Sequence, residues 1–312
     1  MDTMAHALIG FAIAGLSGHQ PSLSDPVYIA TALGAQAPDF DIIAQVRGNL
    51  AYLRQHRSFS HSVPGIVLWS VLISVGIYLI MPHANYIQLF GWSLAGSFSH
   101  IITDYFNTHG AALFWPFKRE RKSFPLLKVF DPLLLLMMSG TFLFHLPVKQ
   151  IAGFILSILF MYTGLRYVLR VNITRHLLSS FNHSVDRIWV MPSLKRVFYW
   201  DFVIETKTDF IVGEIASLLP QPKIRATLPR QAFTPITIKA CETRLGDFFR
   251  TFSPFLYFEN DEDVASKKVR IYDLRYFLNQ QFLHSATIIF GDNDQPCASF
   301  IHSSGRTVRI PC

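Results

Sequence analysis

The chain has 312 residues, of which 50% are hydrophobic and only 16% are charged, and its formal net charge at pH 7 is +7. A soluble domain carries about 25% charged residues, so this composition favours a membrane protein and excludes a disordered or fibrous chain. The three cysteines, Cys241, Cys297 and Cys312, are far apart and form no CxxC pair, which argues against a disulfide framework and a thiolate zinc site.

The N-terminal part contains two apolar stretches, near residues 5–16 and 27–37, and each is too short to cross a bilayer. We expect them to form two short, partly inserted helices that pack against a helical bundle. The alternative is a cleavable signal peptide. A signal peptide requires a basic start, and this sequence starts with Met1, Asp2 and Thr3.

Longer apolar runs follow and predict four membrane spans. Residues 58–103 contain no Lys, Arg, Asp or Glu, and two spans fit at about 63–81 and 86–105. Two further uncharged runs, at 132–148 and 150–165, lie at the short end of the about 20 residues that a bilayer requires. They would need tilting of the helix or thinning of the bilayer.

The basic residues lie on one side of these spans. Eleven Lys and Arg residues fall in three segments, 37–61, 104–130 and 166–175, whereas the opposite loops hold only Lys149. By the positive-inside rule, the three basic segments are expected to face the cytoplasm. Because topology accounts for these charges, we expect membrane lipid and not nucleic acid as a partner; the oligomeric state is left open.

The composition changes after the last predicted span. Residues 171–312 contain 17 basic and 14 acidic residues, and their aromatic and β-branched runs at 187–205 and 267–278 predict strands. The sequence therefore predicts an α-helical polytopic membrane domain over 1–170, with four clear spans plus two short N-terminal helices. A mainly β cytoplasmic domain over 171–312 follows, reached through a linking helix near 172–182.

Seven acidic and histidine residues fall at the same predicted end of their membrane segments. Ionisable groups in or beside membrane spans are costly, so this coincidence indicates function. Helices that run in opposite directions would return the seven side chains to one membrane level. The residues are His6, Asp39, Asp41, His56, His61, His100 and Asp104.

Four imidazoles and three carboxylates are a normal ligand set for zinc, manganese or iron. His100 and Asp104 are four residues apart and share a helical face. Seven candidates exceed the ligands that one zinc ion needs, so we expect one or two divalent ions, zinc or manganese. The remaining groups would form hydrogen bonds to the metal ligands or, in the case of Asp41, act as a general base.

Arg57 lies next to His56 in the segment HRSFSH. A guanidinium group matches phosphate oxygens in a bidentate manner, and beside a metal ion it stabilises the charge that develops during phosphoester hydrolysis. We therefore expect Arg57 and Asp41 to be catalytic residues. No P-loop, dinucleotide-binding fingerprint or GxSxG elbow competes with this interpretation.

The same segments carry a resemblance to a known family. MDTMAH, PDFD, HRSFSHS, HIITD and GAALFWPF match its pattern MD-x-x-x-H, PD-x-D, HR-x-x-(S/T)-HS, H-x-x-x-D and G-x-x-x-x-x-PF. Over residues 1–135 the chain thus resembles the YdjM-like family of predicted membrane-bound metal-dependent hydrolases, with its YbcI and YfhP types. The resemblance implies a polytopic bacterial inner-membrane protein with a metal site and hydrolase activity.

Other interpretations stay open at this point. Asp39 and Asp41 follow a proline, where aspartate also caps helices, and His100 is also suited to bond a backbone carbonyl inside the bundle. A non-catalytic metal-binding protein with a regulatory or interaction domain is the main rival to a hydrolase. A transporter would place its polar groups at mid-membrane depth, whereas these lie at one edge. We favour a metal-dependent hydrolase at the cytoplasmic membrane face that acts on a phosphoester or lipid-like substrate.

Overall fold

The computed structural model describes residues 1–41, 58–118, 120–181, 185–263, 266–291, 293–303 and 305–310. The chain divides into two compact units, Met1–Arg170 and Val171–Cys312. The first unit is helical and the second is mainly β, which confirms the predicted order of the two fold types.

Six described helices start in the first unit. They are α1 (Thr3–Gly15), α2 (Pro26–Gln36), α3 (Val63–Ile80), α4 (Tyr86–Tyr105), α5 (Pro132–Gly140) and α6 (Val148–Ser180). The first five begin at a side chain that accepts hydrogen bonds from the backbone N–H groups of the first turn. These capping residues are Asp2, Asp25, Ser62, Asn85 and Asp131. The helix starts therefore follow from local sequence.

By length and composition, two of the described helices, α3 and α6, could cross a membrane. The prediction of four clear spans is therefore wrong. Helix α4 has the predicted bounds, but its serines and the polar residues His100 and Asp104 make it less apolar than a clear span. Helix α6 is longer than the predicted run 150–165, and it already contains most of the linking helix that was expected near 172–182.

The run 132–148 does not form a span because its helix ends early. Helix α5 continues only through a 3-10 turn, Thr141–Phe144, and the chain then turns at His145, whose φ is 49°. At about 1.5 Å per residue, α5 and this turn cover roughly 20 Å, short of the about 30 Å of a hydrocarbon core.

Helices α2 and α4 approach each other at backbone distance. A Cβ atom at Gly34 would overlap the carbonyl oxygen of Ser93, and one at Gly96 would overlap that of Thr31. Only glycine permits such an approach at these two positions. The contact brings the C-terminal end of α2 beside the last turns of α4, and this is where the candidate site lies.

The second unit contains two main sheets. In the first, β1 (Val185–Pro192), β2 (Tyr199–Thr206), β3 (Asp209–Ala216) and β4 (Lys223–Pro229) are antiparallel and follow chain order. Two helices follow, α7 (Pro235–Glu242) and α8 (Arg244–Phe252). The sequence analysis did not predict them. Aromatic and aliphatic side chains form the core of this unit, including the buried residues Val203, Tyr257 and Leu274.

The second sheet has five strands in the order β11-β10-β9-β6-β5. These are β5 (Leu256–Asp263), β6 (Ser266–Asp273), β9 (His284–Phe290), β10 (Pro296–Ser303) and β11 (Arg306–Ile310). Between β6 and β9, β7 (Phe277–Leu278) and β8 (Gln281–Phe282) form a small hairpin. The run 267–278, predicted to form strands, contains most of β6 and all of β7.

Candidate metal centre

Four of the described residues direct one ligand atom each into a common space. Asp39, His61, His100 and Asp104 form this four-residue cluster, and their ligand atoms all lie within 4.8 Å of one another. Asp39 comes from the turn after α2, His61 from the 3-10 turn before α3, and the other two from the end of α4. The side chain of Asp39 is 28% exposed, whereas the other three are fully or almost fully buried.

The separations within the cluster fit one small cation. His61 Nε2 lies 3.3 Å from His100 Nε2, 3.3 Å from an oxygen of Asp39 and 3.4 Å from an oxygen of Asp104. His100 Nε2 lies 3.5 and 3.8 Å from the same two oxygens. A tetrahedral ion with bonds of about 2.0–2.2 Å holds its ligand atoms about 3.3–3.6 Å apart. Most of the observed distances match that spacing.

The outer hydrogen bonds of the two histidines direct lone pairs into the cluster. His100 Nδ1 lies 2.7 Å from the carbonyl oxygen of Ala35, which can only accept, so this nitrogen carries the proton. Ser60 Oγ donates to Asp41 at 2.6 Å and lies 3.0 Å from His61 Nδ1, from which it then accepts. Each neutral histidine therefore presents an unprotonated Nε2 to the carboxylates. This acceptor-only set is suited to a cation.

Protonated histidines are the alternative source of positive charge. Burial alone raises the pKa of the Asp39 carboxyl, but pairing with the imidazoles of His100 and His61 outweighs it and would hold that pKa below its usual range. The nitrogen–oxygen separations of 3.3 to 3.8 Å are, however, longer than the about 2.7–2.9 Å of charge-assisted hydrogen bonds. The spacing fits a shared cation better than direct ion pairs.

Asp41 lies beside the cluster and not within it. Its Oδ2 is 3.6 Å from His61 Nδ1, the nitrogen on the far side of the ring from the cluster. Together with Ser60, it is placed to orient His61. His56 and Arg57, which the sequence analysis also named, lie outside the described residues.

His6 is adjacent to the cluster through Asp104. Its ring stacks on that of His100 at a centroid distance of 3.7 Å, and its Nε2 lies 3.5 Å from Asp104 Oδ1, the oxygen that does not face the cluster. The α-amino group of Met1 contacts the same oxygen and lies 3.0 Å from His6 Nε2. The six candidate residues that the structure describes thus lie in one region, and four of them share a centre.

The sequence analysis missed two residues that hold the cluster in place. Asn107 is fully buried, and its Nδ2 donates to Asp104 Oδ1 at 2.7 Å. Its own Oδ1 accepts from the backbone N–H groups of His109 and Gly110 at 2.8 and 3.1 Å. Ser60 is the second such residue. The only sequence signal was position, because Asn107 follows Asp104 by three residues and Ser60 directly precedes His61.

Comparison with known proteins places these residues in a family. The family model described as YdjM inner membrane protein matches residues 1–173, which include the whole four-residue cluster. The chain is also 30% identical over 294 residues to a Bacillus subtilis (strain 168) protein described as "Uncharacterized protein YfhP", covering 88% of this chain and 87% of that protein. No solved structure matches. The resemblance seen in the motifs is thus confirmed, and the chain belongs to the YdjM inner membrane protein family.

Proposed function

We propose that the protein is a metal-dependent hydrolase that acts at the cytoplasmic membrane face on a phosphoester or another lipid-like substrate. One observation carries the proposal. Two buried histidine nitrogens, both left unprotonated by their outer partners, meet two carboxylate oxygens within 4.8 Å. Acceptors buried against one another are unfavourable unless positive charge lies among them, and a bound cation would supply that charge.

Asp39, His61, His100 and Asp104 would hold the ion. Two nitrogens and two oxygens suit zinc or manganese. When bound, such an ion supplies Lewis acidity, which polarises a phosphoryl or carbonyl oxygen and lowers the pKa of water.

The remaining residues would orient the site and bind substrate. Ser60 and Asp41 keep the proton of His61 on Nδ1, so that Nε2 stays available. Among the four described ligands, Asp39 is the partly exposed one, so water and substrate would enter on its side. Arg57, close in sequence to His61, would bind an anionic oxygen of the substrate.

The substrate class follows from where the cluster lies. Its ligands come from the ends of helices in a chain of an inner membrane family, next to segments rich in Lys and Arg. A site at this level is within reach of the phosphate groups of lipids and of other amphipathic esters. Basic segments next to the membrane also attract anionic substrates to its surface.

The proposal is tested with the purified protein loaded with zinc or manganese. We expect turnover of the phosphodiester bis(p-nitrophenyl) phosphate or the phosphomonoester p-nitrophenyl phosphate. In Arg57→Ala the metal content should be unchanged, while turnover falls at least about 100-fold, as expected for loss of a group that stabilises developing charge. Arg54→Ala, three residues away, is the matched control. Equal turnover in both variants would contradict the role of Arg57.

A non-catalytic metal site is the second candidate. Four protein ligands already complete a tetrahedral zinc site, whereas a catalytic zinc keeps one position open. In that case the second unit would act as a regulatory or interaction domain. Full metal loading with no turnover of either phosphoester, combined with a lower melting temperature after metal removal, would favour this candidate over the hydrolase.

A further inference from the structure

The first sheet of the second unit ends in two hairpin turns on the same side. Because β1 to β4 are antiparallel and in chain order, the β1–β2 and β3–β4 connections lie at one end, and the β2–β3 turn lies at the other. Residues 193–198 and 217–224 form what we call the hairpin end. A hydrogen bond of 2.8 Å from Ser217 N to Phe198 O joins its two segments.

The hairpin end exposes several large apolar side chains. Leu218 and Leu219, at the turn between β3 and β4, are 82% and 78% exposed, and Phe198 is 59% exposed. Ile224 and Leu194 add further apolar surface at the same end. Single exposed apolar residues are ordinary, but several at one end of a sheet favour contact with an apolar partner or a membrane.

The exposed charges around this apolar group are all positive. Lys195, Arg196 and Lys223 are exposed, and the segments 193–198 and 217–225 contain no Asp or Glu. The acidic residues nearest in sequence, Asp201 and Glu214, are buried and form ion pairs with Arg225 and Arg196.

A basic cavity lies within this end. Its volume is about 490 Å³, and its charged lining consists of Lys195, Arg196, Lys223 and Arg225 with one acidic residue, Glu214. The β7–β8 turn closes one side, where Lys195 Nζ donates to Asn279 Oδ1 at 3.1 Å. Arg225 forms an ion pair with Glu214. Four basic side chains against one acidic side chain thus line a space large enough to receive an anionic headgroup.

We propose that the hairpin end docks on an anionic bilayer surface. The leucines and Phe198 would enter the boundary between headgroups and acyl chains, while the lysines and arginines contact lipid phosphates. Apolar side chains flanked by basic ones bind anionic membranes by both effects. The opposite end of the same sheet, Thr206 to Asp209, has no exposed large apolar residue and carries both charge signs.

The test uses the full chain in lipid nanodiscs. Cys297→Ser and Cys312→Ser leave Cys241, which is buried, and Leu219→Cys then carries an environment-sensitive NBD label. In discs containing phosphatidylglycerol, we expect a blue shift of the emission and quenching by nitroxide-labelled lipid. Both effects should be largely lost in discs of phosphatidylcholine alone. Both effects should also be lost in the triple variant Lys195→Glu/Arg196→Glu/Lys223→Glu, because each basic residue near an anionic surface increases the binding affinity about five-fold.

Two controls make the result specific. A label at Ile238→Cys, half-exposed on α7, should show no quenching, and Lys207→Glu in the opposite turn should leave the Leu219 signal unchanged. No quenching at Leu219 in anionic discs would overturn the proposal, as would equal quenching in both lipids. A blue shift of the Leu219 label that increases with protein concentration would also overturn the proposal, because it would indicate that a protein partner covers this surface. None of these outcomes depends on the metal centre.

Discussion

A single backbone carbonyl sets the chemistry of His100. The oxygen of Ala35 accepts from Nδ1 at 2.7 Å, so the second ring nitrogen remains a base that faces His61 and the carboxylates. Asn107 acts in a comparable way on Asp104, because its amide fixes one carboxylate oxygen and leaves the other directed at the histidines. These two ligands are thus oriented by groups that do not themselves face the cluster.

Removal of Asn107 tests this orientation. In Asn107→Ala, Asp104 loses the amide donor that holds its Oδ1, and we expect zinc or manganese affinity to fall about 10- to 100-fold. Competition with a chelator of known affinity measures the change. Asn172→Ala, at an exposed position of α6, should bind metal as the wild type does. Equal affinity in both variants would contradict a positioning role for Asn107.

A second prediction concerns Asp201 in the second unit. Burial raises the pKa of this carboxyl to about 6 from its ordinary value of 3.8, despite the nearby Arg225. Because the folded pKa is the higher one, the folded state binds the proton more tightly, and its contribution to stability is lost as pH rises through about 6. Asp201→Asn should therefore gain stability relative to wild type between pH 4 and 7.5, by up to about 3 kcal/mol.

Unfolding of both proteins across this pH range checks that prediction. The wild type and Asp201→Asn should give curves that diverge as the pH increases. Parallel curves would show that Asp201 does not have a raised pKa in the folded state.

The sequence pattern named every residue of the four-residue cluster, but not what orients them. Ligand types could be identified because histidine and aspartate are rare next to apolar runs. The carbonyl of Ala35 has no sequence signal, since its direction depends on how α2 packs against α4. Asn107 and Ser60 are ordinary polar residues whose partners emerge only after folding.

Among the helices, the contact between α2 and α4 brings the centre together. Asp39 follows α2, and His100 and Asp104 end α4, so the distance between the two helices sets the distance between the ligands. The contact depends on Gly34 and Gly96, where any side chain would meet backbone atoms of the other helix.

Substitution of Gly96 should therefore reduce metal binding by the four-residue cluster, although Gly96 is not one of the ligands. In Gly96→Ala, the new methyl group would collide with backbone of α2, and we expect a lower melting temperature and a lower metal content. Gly91→Ala lies in the same helix with no atom near its Cβ position, so it should retain metal and gain slight stability from helix propensity. The same metal content in both variants would contradict the account of helix spacing.

Element prediction succeeded where local signals were strong. The bounds of α3 agree with the predicted span at 63–81, and capping residues mark the starts of the first five helices. The prediction of a span at 132–148 was wrong, because an apolar run does not indicate where a helix ends in a turn such as that at His145. Helices α7 and α8 were missed because short amphipathic helices carry little signal between strands.

For the whole molecule, the basic segments predict that the second unit faces the cytoplasm. A fluorescent protein fused after residue 312 should then fold and emit, and alkaline phosphatase at the same place should be inactive. Alkaline phosphatase inserted in the turn 82–85 should be active, since this loop has no basic residue. The reverse pattern would contradict the proposed orientation and the cytoplasmic location of the metal centre.

The central claim is that four residues from three parts of the chain hold a divalent cation. The most direct measurement is elemental analysis of the purified protein, comparing wild type with His100→Gln and Asp104→Asn, and with His83→Gln as an exposed control. We predict zinc or manganese in the wild type and in His83→Gln, and its loss from the two cluster variants. Equal and negligible metal in all four proteins, after loading with either ion, would contradict the account.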